Sequence, residues 1–64
     1  MHKSITTERV MRMIVRNENK CENKGICVAC GKTRDGMEPD ARNYPCPCGE
    51  PGVYGAEELL IRLA

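Results

Sequence analysis

The sequence predicts a small α+β fold: an N-terminal helix, a middle of short antiparallel strands held by two cysteine turns, and a C-terminal helix. Three observations predict it. Residues 4–17 and 56–63 repeat apolar side chains at helical spacing, and the segment between them does not. That middle segment carries two close cysteine pairs, Cys27-x-x-Cys30 and Cys46-x-Cys48, each followed at once by a glycine, Gly31 or Gly49. Finally, the chain has 64 residues with neither Trp nor Phe, too little apolar material to fold comfortably around a core alone. Chains of this size add a staple: disulfides, a metal or oligomerisation. The whole of 1–64 reads as a single domain.

The first helix is expected over 4–17. Thr6 is its N-cap, with a side-chain oxygen that accepts from the unpaired amides of the first turn. Ile5 before the cap and Val10 inside it form a hydrophobic staple. Val10, Met11, Met13, Ile14 and Val15 share one broad arc, and Arg9, Arg12 and Arg16 fall within about 60° of one another opposite it. Residues 18–25 have no apolar period and read as a linker. A cysteine-bearing ribbon is expected over 26–55, with a tight turn at Asp35-Gly36 and a short strand in the segment "GVY" at 52–54. Over 56–63, Ala56, Leu59, Leu60 and Leu63 stand at i, i+3, i+4 and i+7, one helical face. Glu57 and Glu58 open that helix and Arg62 closes it, the charge order its dipole favours.

The chemistry of the cysteines depends on the compartment. The start, "MHKSITTERVMRMIVR", shows no apolar signal-peptide core, and the runs "MIV" and "LLI" are far too short to span a bilayer. The expected location is the cytoplasm, where structural disulfides are rare. Five cysteines also leave one thiol over in any disulfide scheme. Metal is therefore the leading reading, with Cys27, Cys30, Cys46 and Cys48 as ligands. Zinc takes four ligands in a tetrahedron, and thiolate suits it. A glycine after each pair lets the backbone turn with positive φ and aim amides at the sulfurs. Two such turns brought together by hairpins make a zinc ribbon holding one structural ion. Iron fits a four-thiolate site as well, and the spacing does not separate the two. A redox pair at Cys27/Cys30 would need a surrounding βαβ unit that this pattern does not supply. Four thiolates leave no position for a catalytic water. The second pair is unusual, with Pro47 alone between its cysteines, which tightens the bite. Cys21, in the polar linker, reads as a free thiol, or else as the ligand that the tight second turn fails to deliver. His2 stands on the terminus, away from both pairs.

The motifs around these cysteines resemble a group of small zinc-ribbon proteins widespread in bacteriophages and prophages. The resemblance rests on Gly36-Met37-Glu38-Pro39-Asp40-Ala41-Arg42 with Tyr44, on the two cysteine pairs, and on "VYGAEELL" at 53–60. "ITTERV" at 5–10 is similar to their leader helix. It covers nearly the whole chain and implies a zinc ribbon at work in the host cytoplasm. It implies no particular activity.

Charge narrows the function classes. Residues 1–24 carry six Lys/Arg against three Glu, while residues 25–64 carry four against six Asp/Glu. Four thiolates around one dication add two further negative charges, so the formal +1 becomes about −1 in the metal-loaded chain. This is poor material for non-specific DNA binding, which depends on neutralising phosphates, and Tyr44 and Tyr54 alone cannot stack single-stranded bases. Arg9, Arg12 and Arg16 are the candidate nucleic-acid contacts; as a solvated helix face they need no function. Glu38 and Asp40 invite an acid–base reading, but such pairs need a cleft. The plainer expectation is that Glu38 and Arg42 pair or cap backbone and that both tyrosines lie in the core. The expected function is binding rather than catalysis, with a host or phage protein as partner ahead of nucleic acid, and with no small-molecule substrate and no membrane.

Overall fold

The computed structural model describes residues 1–63. Helix α1 (Thr7–Lys20) leads into strand β1 (Lys24–Cys27), then β2 (Thr33–Asp35), β3 (Val53–Gly55) and helix α2 (Ala56–Leu63). The strands form one antiparallel sheet in the order β2-β1-β3. Two helices, a three-stranded sheet and a cluster of four cysteines have the arrangement of a zinc ribbon.

Strand register sorts the side chains into two cores. Successive residues of a strand face opposite sides of the sheet. In β1 and β3, Ile26 pairs with Tyr54 and Cys27 with Val53. Ile26 and Tyr54 pack on the helix side with Ile5, Val10 and Leu59. Cys27 and Val53 pack on the other side with Cys46, Cys30 and Met37. The first core is built from the helices, and the second has cysteines where other small domains have aliphatic residues.

Helix α1 is set one turn later than 4–17. Thr6 has extended backbone and accepts from the Arg9 amide at 3.2 Å, so it caps the helix and residues 4–5 lie outside it. Ile5 and Val10 are both buried, as a hydrophobic staple requires. At the other end the helix continues through the expected linker to Lys20, and Cys21 closes it with φ 53°, its amide donating to Asn17. Cys21 therefore takes the left-handed C-cap position that glycine usually fills. The buried seam of α1 is also narrower than its apolar arc. Val10, Met13 and Ile14 face α2 and the sheet, whereas Met11 and Val15 are 53% and 55% exposed. A two-turn helix and three short strands cover only one stripe of a longer helix. Asn17 continues the stripe: its amide side chain donates to the Lys24 carbonyl and accepts from the Lys24 amide, both at 3.2 Å, which pins the start of β1.

The segment 38–41 seats α2. The Gly55 amide donates to the Ala41 carbonyl at 3.0 Å and the Glu58 amide to the Pro39 carbonyl at 3.1 Å, so this turn satisfies a first-turn donor of the helix. Arg42 pairs with Glu58, the buried polar residue of α2, and not with Glu38 as expected. Tyr44 does not join the core either: it is exposed, and its backbone instead brackets a loop by exchanging hydrogen bonds with Val53. Tyr54 is half-buried against the helices, with the Arg62 guanidinium 4.5 Å from its ring centre.

Candidate metal centre

Each cysteine pair sits on a small closed loop. In the first, Cys27 ends β1, and the chain returns through Cys30 to β2. The Cys27 amide donates to the Lys32 carbonyl at 3.0 Å, and the Gly31 amide to the Cys27 carbonyl at 2.8 Å. Gly31 has φ 77°, and a Cβ there would lie 2.6 Å from the His2 ring and 2.7 Å from Ser4 Oγ. Only glycine turns this corner under the N-terminal segment, where the His2 amide donates to the Val28 carbonyl. In the second loop, Tyr44 and Val53 exchange backbone hydrogen bonds at 3.0 Å. The residues between them turn at Gly49, φ 99°, whose amide donates to the Cys46 carbonyl. Pairing of Val53 with both Tyr44 and Cys27 sets the two loops side by side.

The result is a cluster of four sulfurs, from Cys27, Cys30, Cys46 and Cys48, all within 4.8 Å of one another. Cys27 Sγ lies 3.8 Å from Cys48 Sγ, and Cys30 Sγ 3.9 Å from Cys46 Sγ. A tetrahedral zinc with Zn–S bonds near 2.3 Å has an S···S edge of about 3.8 Å. The cluster therefore has the dimensions of a four-thiolate metal site, and a single residue between Cys46 and Cys48 does not prevent it. None of the four is in a disulfide.

The tight second turn polarises its two thiols in opposite directions. The Cys48 amide N–H, 3.5 Å from Cys46 Sγ, holds the Cys46 thiol down at about 6, with the Cys48 and Arg34 side chains adding to the effect. Backbone hydrogen bonding at Glu50 pulls on Cys48, but the neighbouring Cys46 sulfur and burial outweigh it and push Cys48 up to about 11. The Lys32 amide lowers Cys30. Near neutral pH one thiol of the pair is thus ready to bind a cation, whereas the other keeps its proton until a cation displaces it.

Cys21 and His2 stand outside the cluster. Cys21 is exposed at the end of α1, and the His2 ring bonds Ser4 at 2.8 Å. Because Cys21 carries a positive φ that glycine adopts without strain, Cys21→Gly is expected to stabilise the protein by about 0.5–1 kcal/mol. Metal content should stay unchanged. A loss of metal in this variant would make Cys21 a ligand after all.

The arginine stripe is more engaged than a solvated face. The Arg9 guanidinium donates to the Gly31 carbonyl at 2.7 Å and to Ser4 Oγ at 2.9 Å, tying α1 to the first cysteine loop. Arg12 pairs with Glu8, and Arg16 with Glu22. Lys24 of β1 and Thr33 of β2 complete a shallow groove with these three arginines. Glu38 and Asp40 are exposed on the turn that seats α2.

Two contributors had no pattern in the sequence. Arg34, on β2 opposite Gly25, lies on the sulfur side of the sheet, and Glu58 is buried opposite Arg42. Both depend on strand register and helix docking, which single-residue spacing does not encode. Among the described residues no helix is long and apolar enough to cross a membrane. In comparisons with known proteins no family model matches the chain, and no curated protein and no solved structure is significantly similar to it.

Proposed function

We propose that this chain is a zinc-stabilised binding module of the phage ribbon type, working in the host cytoplasm and directed to a host or phage protein. The observation that carries the reading is the sulfur cluster. Its edges fit one tetrahedral zinc, all four ligand positions are taken by thiolates, and a zinc so enclosed is structural rather than catalytic. Bound there, the ion crosslinks the two cysteine loops, and the helices lie on the opposite side of the sheet. On α1, Met11 and Val15 lie in an open apolar groove bordered by Glu8, Arg12, Arg16 and Lys20. An apolar centre with a charged rim is the composition of a protein-binding patch.

A second reading is favoured by one observation. Lys24 faces Arg9, Arg12 and Arg16 across their groove, so four of the six Lys/Arg of residues 1–24 converge on it. Phosphates of a nucleic acid fit such a groove. Against it, Glu8, Glu22 and Asp35 already pair with Arg12, Arg16 and Lys24, and a phosphate must compete with these carboxylates.

One experiment separates the readings. Zinc-loaded protein is used to capture partners from host lysate with and without nuclease. The protein reading expects capture that survives nuclease and is lost in Met11→Glu/Val15→Glu. The nucleic-acid reading expects capture abolished by nuclease and by Gln at Arg9, Arg12 and Arg16. It also expects a salt slope that flattens by up to about 0.9 per lost duplex-phosphate contact.

A further inference from the structure

Arg34 stands on β2 opposite Gly25. Gly25 and Cys27 are two apart on β1 and so share a face, which puts the Arg34 side chain on the sulfur side of the sheet. Gly25 has no side chain to fill that space. A Cβ there would lie 2.4 Å from the Tyr54 carbonyl and 2.9 Å from Met37 Cγ, so the position is restricted to glycine. Side-chain hydrogen bonding to Cys46, with Cys30 adding to it, raises the Arg34 pKa above its ordinary value. Its Nε is buried and, among the described residues, has no hydrogen-bond partner, the one buried side-chain nitrogen or oxygen left so. Buried N–H groups are almost always satisfied. The sulfurs of Cys27, Cys30 and Cys46 stand on this same face of the sheet.

We propose that Arg34 is an outer hydrogen-bond donor to the metal-bound thiolates, holding Cys46 in place and offsetting the charge of the tetrathiolate centre. The inference rests on the zinc reading above and adds a positioning residue to it. A four-thiolate zinc carries two net negative charges, and the guanidinium is the cation placed to balance them. Hydrogen bonding to a metal thiolate lowers the energy of its lone pairs. That makes the sulfur a poorer nucleophile and the zinc slower to leave when an electrophile attacks.

The test uses the full chain loaded with cobalt(II) as a spectroscopic probe, and with zinc. In Arg34→Gln, loss of the donor should shift the thiolate-to-cobalt charge-transfer band to lower energy. It should also weaken zinc affinity about ten- to a hundredfold, the usual cost of losing an outer-shell partner, and speed zinc release by N-ethylmaleimide. Arg12→Gln, which removes an exposed charge from α1, should change none of the three. A folded Arg34→Gln with wild-type band, affinity and release rate would overturn the inference. If that variant does not fold at saturating metal, Arg34→Lys decides, since it keeps a charge but lacks Nε: a shifted band supports the role, and an unmoved band removes it. Wild-type protein that takes up neither metal would instead overturn the zinc reading itself.

Discussion

Removing zinc from the loaded protein with a strong chelator is expected to unfold the sheet and both cysteine loops, residues 24–55. The second core consists of Cys27, Cys46 and Val53 with Cys30 and Met37 against them. Without the ion, the inner residues of that core are thiols, which face one another in two pairs 3.8 and 3.9 Å apart across the cluster with nothing to bind them. Structural zinc in small finger peptides supplies roughly 10–16 kcal/mol of apparent binding free energy, strongly dependent on pH. No rearrangement of so few apolar residues replaces that. Serine at Cys27, Cys30, Cys46 or Cys48 should have the same effect as the chelator, read as lost metal by native mass spectrometry and lost amide dispersion by NMR. Unchanged circular dichroism after verified zinc removal would show that the metal is peripheral.

Acid should act as the chelator does, and the sign follows from the thiols. Cys46 is depressed from 9.0 to about 6 in the folded chain. Its ionised form therefore stabilises the fold fully above about 9, and this contribution fades as the pH falls through about 6. Cys48 is shifted the other way, from 9.0 to about 11, so the two neighbouring sulfurs do not both ionise without a cation between them. Zinc binding near neutral pH must expel the protons that the ligand thiols still hold, and affinity should rise with pH until they are ionised. Proton release on zinc binding, measured by calorimetry in buffers of different ionisation enthalpy, checks this. Zinc binding without proton release at neutral pH would contradict it.

Gly55→Ala should be the most damaging substitution outside the cysteines. A Cβ at this position would stand 2.1 Å from the Glu38 carbonyl oxygen and 2.4 Å from that of Pro39. These are backbone atoms of the turn that seats α2, and they cannot swing aside as a side chain would. Either β3 parts from that turn, breaking the Gly55 to Ala41 hydrogen bond, or α2 lifts from Ile26 and Val10 through Leu59. Overpacking of this kind costs about 3 kcal/mol, which in a domain of this size lowers the melting temperature by roughly 12–24 °C. Gly36→Ala is the control. Its φ of 73° is strained for alanine, but nothing lies within 4 Å of the new atom, so the cost should stay near 1 kcal/mol. Equal melting temperatures for the two variants would mean that the close approach at Gly55 is not real.

The local elements were legible in the residues because they depend on neighbours in sequence. Thr6 and the Ile5–Val10 staple mark a helix start by their spacing alone, and the i, i+3, i+4, i+7 pattern from Ala56 to Leu63 marks the last helix. The cysteine pairs with their glycines mark two loops able to present sulfurs, since Cys-x-x-Cys-Gly and Cys-Pro-Cys-Gly are complete within a few residues. Tertiary structure decided what no short-range pattern carries. Met11 and Val15 belong to the apolar arc of α1 yet lie open, because partner elements cover only a stripe of it. Arg9 became a tie to the Gly31 carbonyl, and Arg42 found Glu58 across sixteen residues. Arg34 lies on the sulfur side of the sheet only because it stands opposite Gly25 in an antiparallel register. The physical reason is common to all four. Caps, turns and amphipathic faces are set by interactions a few residues long, whereas coverage, ion pairing and the surroundings of the metal site depend on how strands register and helices dock.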